Sequence, residues 1–398
     1  MKNKLFLDLH VLQTVPASCL NRDDTGSPKL MTYGGKTRGR VSSQCWKHAM
    51  REMFKQESPE MCGIRSMWFT QIVRDYLLAH KDGLAQDVAT EMSVFALSVV
   101  FGVAVDVNET QDDAGKKVFV IDYNTAKMNA LTFLSQAQVK VVGNFILNNW
   151  DELEIAVVDF KKKIAKATKK DDVKVADCLK SKKSLVTSLQ KCVEQASVSA
   201  DMALFGRMIA QSPSLSVDAC CSVAHAFSTH EVATEFDYYT ATDDYQPENV
   251  TGAANIGTLE FCSMTMYRYA TVDVTELVEK MGVDAAVVLR EFVRTFVMSM
   301  PTGKVHSYAN MTLPEYIEVS FRTDTPVSFA PAFENAVRGT EGMMVDSVKA
   351  LEAYRENVYK MYDEPTHAMT LNMAQPTMKF VDALQDVQNV VETYMKEA

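Results

Sequence analysis

The stretch KLFLDLHVLQTVP, residues 4–16, sets Leu5, Leu7, Leu9 and Val11 on one side of an extended chain and Asp8 and His10 on the other. A period of two over this length predicts a half-buried strand. Pro16 closes it, because proline cannot donate to a sheet ladder. Two lysines followed by apolar residues also suit a secretion signal. Asp8 and His10 break that run before it reaches the length of a signal's apolar core, so the strand reading is taken.

Outward from this strand, residues 17–41 carry Gly26, Pro28, Gly34, Gly35 and Gly39 and read as a mobile loop. Ser42 and Ser43, both good N-cap residues, then open a helix to about residue 56. Its apolar side holds Trp46, Met50, Met53 and Phe54. Gln44, Lys47 and Arg51, at i, i+3 and i+7, share another face. Residues 62–198 read as mainly helical, with a turn-rich break over 106–117. Strand character returns at 202–209, 222–229 and 259–270. A helix is predicted over 283–300, strands over 307–310 and 316–322, and helices over 343–362 and 378–396. Strands on both sides of a helical block predict an α+β protein: residues 1–61 and 199–398 form one domain, and 62–198 an inserted helical one.

With 398 residues, about two domains are expected at roughly 150 residues each. A hydrophobic share of 47% supplies a core, and no stretch approaches the roughly 20 apolar residues of a membrane helix. The eight cysteines are scattered, apart from the adjacent Cys220 and Cys221, and form no C-x-x-C pair. Reduced thiols in a cytoplasmic protein fit this better than disulfides or zinc, so no metal and no cofactor is expected.

Net charge is −10, which by itself argues against a polyanion partner. Its distribution argues for one. Residues 25–51 contain no acid but six cations, Lys29, Lys36, Arg38, Arg40, Lys47 and Arg51, which leaves −16 for the remainder (−10 − 6). In GGKTRGR, residues 34–40, glycines admit a phosphate close to the backbone and the side chains neutralise it. A protein-binding arm of the same composition stays open. Residues 161–191 hold eleven lysines against three acids, either a solvated helical face or a phosphate-contacting one. From Glu231 to Glu260 there are seven acids and no Lys or Arg, with Phe236, Tyr238, Tyr239 and Tyr245 among them. A protruding hairpin of about 12 residues each way would reach roughly 40 Å.

Catalytic patterns are missing. No H-E-x-x-H, P-loop, G-x-S-x-G or dinucleotide fingerprint occurs. Asp23 and Asp24 lie in a loop where a metal-dependent nuclease would keep carboxylates, but adjacent loop residues point apart, and turn formation suits them better. His225, on a strand with Val223 and Phe227, reads as an interior or rim histidine. The chain is therefore not expected to be an enzyme.

Five blocks, PASCLNRDD (16–24), GGKTRGRVSSQCWKHAMR (34–51), ALFGRM (203–208), VAHAFSTHEV (223–232) and EFCSMTMYRYA (260–270), together resemble the CasC-type backbone subunit of the type I-E CRISPR Cascade complex. The resemblance runs over about residues 4–340 and is weaker in 62–198 and the last 60 residues. It implies an RRM-like (ferredoxin-like) palm, a helical fingers insertion and a long β-hairpin thumb over about 231–260. It implies, too, a non-catalytic subunit that polymerises along a CRISPR guide RNA, with further copies of itself and other Cascade subunits as partners. The guide is presented for pairing with a complementary target DNA strand, and other subunits recruit the nuclease.

By position, the resemblance assigns Arg22, Lys29, Lys36, Arg38 and Arg40 to guide-RNA phosphates, with Ser42, Gln44, Lys47 and Arg51 on the RNA-facing helix. Met208 would pack on a displaced nucleotide. Tyr238, Tyr239 and Ile256 would serve the thumb, and Lys180, Lys182 and Lys183 target DNA. The chain departs from the family pattern at His48, a titratable residue where the helix commonly has arginine, and at Thr37, where a basic residue is frequent. Residues 105–120 receive no role. A cleaving relative that uses a loop aspartate, and a protein scaffold, are the two alternatives.

Overall fold

The computed structural model describes residues 4–111, 115, 117–167, 169, 174–178, 182–209, 212–245, 252, 255–339 and 342–397. The chain opens with β1 (Phe6–Ser18), the hairpin β2 (Leu30–Tyr33) and β3 (Lys36–Val41), and α1 (Ser43–Glu57). It continues through β4 (Ile64–Ser66), α2 (Phe69–His80), α3 (Gln86–Val100), β5 (Val103–Gln111), β6 (Lys117–Met128) and β7 (Thr132–Leu134). Four helices follow: α4 (Gln136–Asn148), α5 (Trp150–Ile164), α6 (Lys183–Gln195) and α7 (Ala200–Phe205). Strands return as β8 (Cys221–Val223), β9 (Ala226–Ser228), β10 (Glu235–Ala241) and β11 (Asn255–Asp273). The chain ends through α8 (Val274–Met281), α9 (Ala285–Met298), α10 (Val305–Tyr308), β12 (Tyr316–Arg322), α11 (Met344–Met361), β13 (His367–Asn372) and α12 (Phe380–Glu397).

Two compact units result. One comprises Met1–Pro59 with Cys220–Ala398, the other Glu60–Ala219. The first is built on an antiparallel sheet ordered β13-β12-β1-β11-β9-β3-β2, with β8 and β10 also paired to the 19-residue β11. β1 lies between β11 and β12. It is buried on both faces, not half-buried as its alternation predicts. The reason is a second helical layer. Trp46, Val41, Val15 and Met266 pack on the α1 side, while Leu12, Tyr267, Phe329, Leu351 and Val358 pack on the α11 side.

The polar residues that interrupt the opening run belong to this second face. Asp8 accepts hydrogen bonds from the Tyr269 hydroxyl at 2.8 Å and the Val327 N–H at 2.9 Å. His10 stacks on Phe329 at 4.0 Å, and its Nδ1 shares a hydrogen bond with the Tyr267 hydroxyl at 2.9 Å. Partners replace water at the Asp8 carboxyl and at His10 Nδ1, while His10 Nε2 is buried without one. Burial still raises the Asp8 carboxyl to about 6 and lowers the His10 imidazole to about 3, desolvation being the first cause of each.

Residues 17–41, expected as a mobile loop, contain the β2–β3 hairpin. Gly34 and Gly35 both have positive φ, 58° and 70°, the two-residue turn whose twist matches its strands. A Cβ at Gly34 would strike the Glu334 carbonyl, so glycine is required there by contact as well. In the second unit, residues 106–111 of the break expected over 106–117 belong to β5 and pair with 117–122 of β6. Phe119, Ile121, Ala126 and Met128 turn its inner face into the helical core of Phe69, Val73, Phe95, Ile146 and Leu189.

Two predicted strands are helical. Residues 200–205 form α7, in which Ala200, Met202, Ala203 and Leu204 are strong helix formers, and Gly206 at φ 77° stops it. Residues 305–308 form a single turn between left-handed Lys304 and Ala309. The second unit extends to Ala219, beyond the 198 expected. Arg207 donates to the Phe133 carbonyl, Gln138 Oε1 and the Leu215 carbonyl, which ties Arg207 and Leu215 into it. Among the described residues no helix is long and apolar enough to cross a membrane.

Candidate nucleic-acid interface

The site begins with the cap of α1. Ser42 Oγ accepts the Cys45 N–H at 3.2 Å, and Asn21 Oδ1 accepts the Ser42 N–H at 3.0 Å. Trp46, Met50 and Phe54 bury the helix's apolar side, each worth about 1.5–3 kcal/mol. That anchoring leaves Gln44 and His48 exposed, with Lys47 and Arg51 half-buried.

The basic hairpin is tied to the same end. Lys29 N–H donates to the Asn21 carbonyl and Arg40 N–H to the Lys29 carbonyl, each at 2.9 Å. β3 pairs with β9 so that Val41 faces Ala226. His225 is thereby delivered to the start of α1, where its Nδ1 accepts the Ser43 N–H at 2.9 Å. Partial desolvation, then the charges of Arg40 and Lys29, hold its imidazole below the usual histidine range. Lys47 lies close enough to Cys221 on β8 to oppose, in part, the upward push of burial on that thiol. Among the described residues, no ion pair engages Arg22, Lys29, Arg40 or Lys47.

Other assigned residues fall differently. Arg38, expected at guide-RNA phosphates, is fully buried. Its guanidinium donates to the carbonyls of Ser228 at 3.0 Å, Phe333 at 2.9 Å and Glu334 at 3.3 Å. Lys36 pairs with Glu231 at 3.0 Å, both about half exposed, so much of its charge is already compensated. Ser42 is buried and its hydroxyl is spent on the cap. Arg22 is exposed. Met208, 88% exposed, belongs to the second unit, as do Lys182 and Lys183. Lys182 pairs with Glu152 at 3.1 Å and Lys183 is exposed. Lys180 lies outside the described residues.

The acidic segment forms the β10–β11 hairpin, whose register sets Phe236 opposite Glu260, Tyr238 opposite Thr258 and Thr240 opposite Ile256. Phe236, Tyr238 and Ile256 therefore share one face, and all three are exposed. Tyr239 is on the other face and lies across Gly257, where a Cβ would meet its ring. The residues expected at the hairpin tip, 246–251 and 253–254, lie outside the described residues.

Asp23 serves its own loop. Its Oδ1 accepts the Thr25 N–H, the Thr25 hydroxyl and the Ser27 N–H, and the Thr25 hydroxyl leads in lowering its basicity. Asp24 is exposed. Among the described residues no group of three or more His, Cys, Asp or Glu side chains could hold a metal ion.

Sequence reasoning missed His225. It treated 222–229 as one strand, whereas β8 ends at Val223 and β9 starts at Ala226, so the alternation restarts and the ring is exposed. The adjacent cations of GGKTRGR were a usable signal only with the β3–β9 pairing known.

Comparison with known proteins follows the same direction. The family described as CT1975-like protein matches residues 7–395. A solved chain from a "CRISPR RNA-guided surveillance complex, pre-nicking" is similar at 29% identity and TM-score 0.76, covering 98% of this chain and 100% of that one. A second, from a "CRISPR RNA-guided surveillance complex", shares the fold at 24% identity and TM-score 0.65, covering 99% and 100%. No curated protein matches.

Proposed function

Because the chain belongs to the CT1975-like protein family, we propose that it is a guide-RNA-holding backbone subunit of a Cascade-type surveillance complex. Family membership agrees with the resemblance to CasC-type backbone subunits read from the sequence. One observation carries the proposal: on a chain of net charge −10, Lys29, Arg40 and Lys47 gather without carboxylate partners around the start of α1. Such a patch holds a phosphate backbone and ignores base identity.

The strand order β12-β1-β11-β9, with α1 and α9 in the connections, supports the RRM-like reading of the palm. An RRM ordinarily stacks bases on exposed sheet aromatics. Here Phe227, Tyr267 and Tyr316 are buried. The RNA is therefore assigned to the loop and helix end and not to the sheet face. Polymerisation along the guide, the thumb and fingers roles, the part of Met208, presentation to target DNA and a cytoplasmic, non-catalytic role complete the proposal. The alternative of cleavage through Asp23 or Asp24 is weakened by Asp23's use as a turn acceptor.

The test is the salt dependence of single-stranded RNA binding. Each phosphate contact contributes a slope near roughly −0.7 in log K against log salt. Replacing Lys29 and Arg40 by Ala should flatten the slope by about 1.4 for RNAs of any sequence. An unchanged slope, or a loss confined to one sequence, contradicts the proposal.

A further inference from the structure

His225 is exposed between β8 and β9, at the start of α1. Arg40 acts on it from β3, Lys29 from the segment before β2, and the Ser43 N–H of α1 points at its Nδ1. Partial desolvation, then the charges of Arg40 and Lys29, lower the ring's basicity, and the Ser43 N–H already occupies its Nδ1; among the described residues no carboxylate acts on the ring. In the free chain the imidazole is thus an acceptor lodged among donors and cations, and it stands where an anion would be better matched.

We infer that His225 is a titratable third member of the phosphate-binding cluster, neutral in the free chain and protonated when an RNA phosphate lies against Lys29 and Arg40. The inference rests on the reading of the chain as a guide-RNA holder. A phosphodiester carries a full negative charge, so its arrival offsets the desolvation and the Arg40 and Lys29 charges that hold the ring's basicity down. The ring, whose hydrogen in the neutral form is on Nε2, then takes one proton from solvent at Nδ1, releases the Ser43 N–H, and becomes a donor at both nitrogens. The phosphate gains two donors, the imidazolium N–H and the freed amide. Binding and protonation are linked, so RNA affinity rises as pH falls.

The experiment uses the full chain and fluorescein-labelled oligouridine, with affinities measured at about pH 8 and about pH 6. A His48→Gln background removes the other exposed imidazole on α1. That parent should bind about five- to tenfold tighter at the lower pH, the range one proton taken up can produce. Adding His225→Gln, whose Oε1 can still accept the Ser43 N–H, should bring the ratio to below about twofold while leaving measurable binding at pH 8. His225 ring resonances followed by NMR should move toward the protonated form when RNA is added at neutral pH. RNA binding with equal pH dependence in both proteins, or an unmoved ring, overturns the inference and leaves the guide-holding reading intact. No RNA binding by either protein at any pH overturns both.

Discussion

Arg38 and Ser228, 190 residues apart in sequence, are joined by a buried hydrogen bond of 3.0 Å from guanidinium to main-chain carbonyl. The same side chain reaches Phe333 and Glu334, so one arginine joins the β2–β3 hairpin, β9 and the segment before α11. A residue that looks like an RNA ligand in GGKTRGR is an internal tie.

Arg38→Ala should therefore act on stability before affinity. It orphans buried carbonyls at about 1–3 kcal/mol each, so a loss of about 2–4 kcal/mol is expected. Arg38→Lys should recover little, because a lysine cannot present the planar fork. Chemical denaturation checks this. Wild-type stability with weakened RNA binding would return Arg38 to the interface.

His10 and Asp8 predict opposite responses to acid. The folded-state His10 value, about 3, lies below its usual one, so its stability contribution is present above about pH 6.5 and is lost as pH falls toward 3. Asp8, raised to about 6, favours the protonated folded form and contributes in the reverse sense between about pH 4 and 6. His10 has the larger displacement and should dominate. His10→Phe, which keeps the stack on Phe329, should flatten the decline in urea midpoint between pH 7 and 5. An identical decline in both proteins would show that His10 does not control it.

Asp243 and Asp244 test the acidic hairpin. If it docks on a lysine-rich surface of another copy, reversing both charges to Lys should weaken assembly by several-fold at low salt, with less effect at high salt. Sedimentation of the RNA-loaded assembly reads this directly, and unchanged assembly would rule the pairing out.

Asp23→Ala with Asp24→Ala tests the cleaving alternative. RNA integrity should be unchanged and stability modestly lower, because Thr25 and Ser27 lose their acceptor. Loss of an RNA-cleaving activity, with binding retained, would reinstate the alternative.

Which parts of this were legible in advance follows from how local the determinants are. The strand over 4–15, the Ser42 cap and the apolar side of α1 are properties of neighbouring residues, and the structure repeats them, although β1 is buried on both faces and not on one. α9, α11 and α12 likewise follow their sequence periodicity. The β2–β3 hairpin was hidden because its strands are short and half-exposed, β3 is basic, and its glycines suit a loop equally well. α7 is too short for periodicity to separate helix from strand. The burial of Arg38 and the exposure of His225 depend on chain brought from more than 180 residues away, which no local pattern encodes.

The central claim is that the cations around the start of α1 hold guide RNA. The most direct measurement is the nucleic-acid content, by absorbance ratio and sequencing, of the chain purified after co-expression with a CRISPR array and its companion subunits. Wild type should emerge in a large particle carrying intact guide RNA, and Lys29→Ala with Arg40→Ala and Lys47→Ala should emerge depleted of it. A clean, RNA-free wild-type monomer, or a triple variant loaded as fully as wild type, would contradict the account.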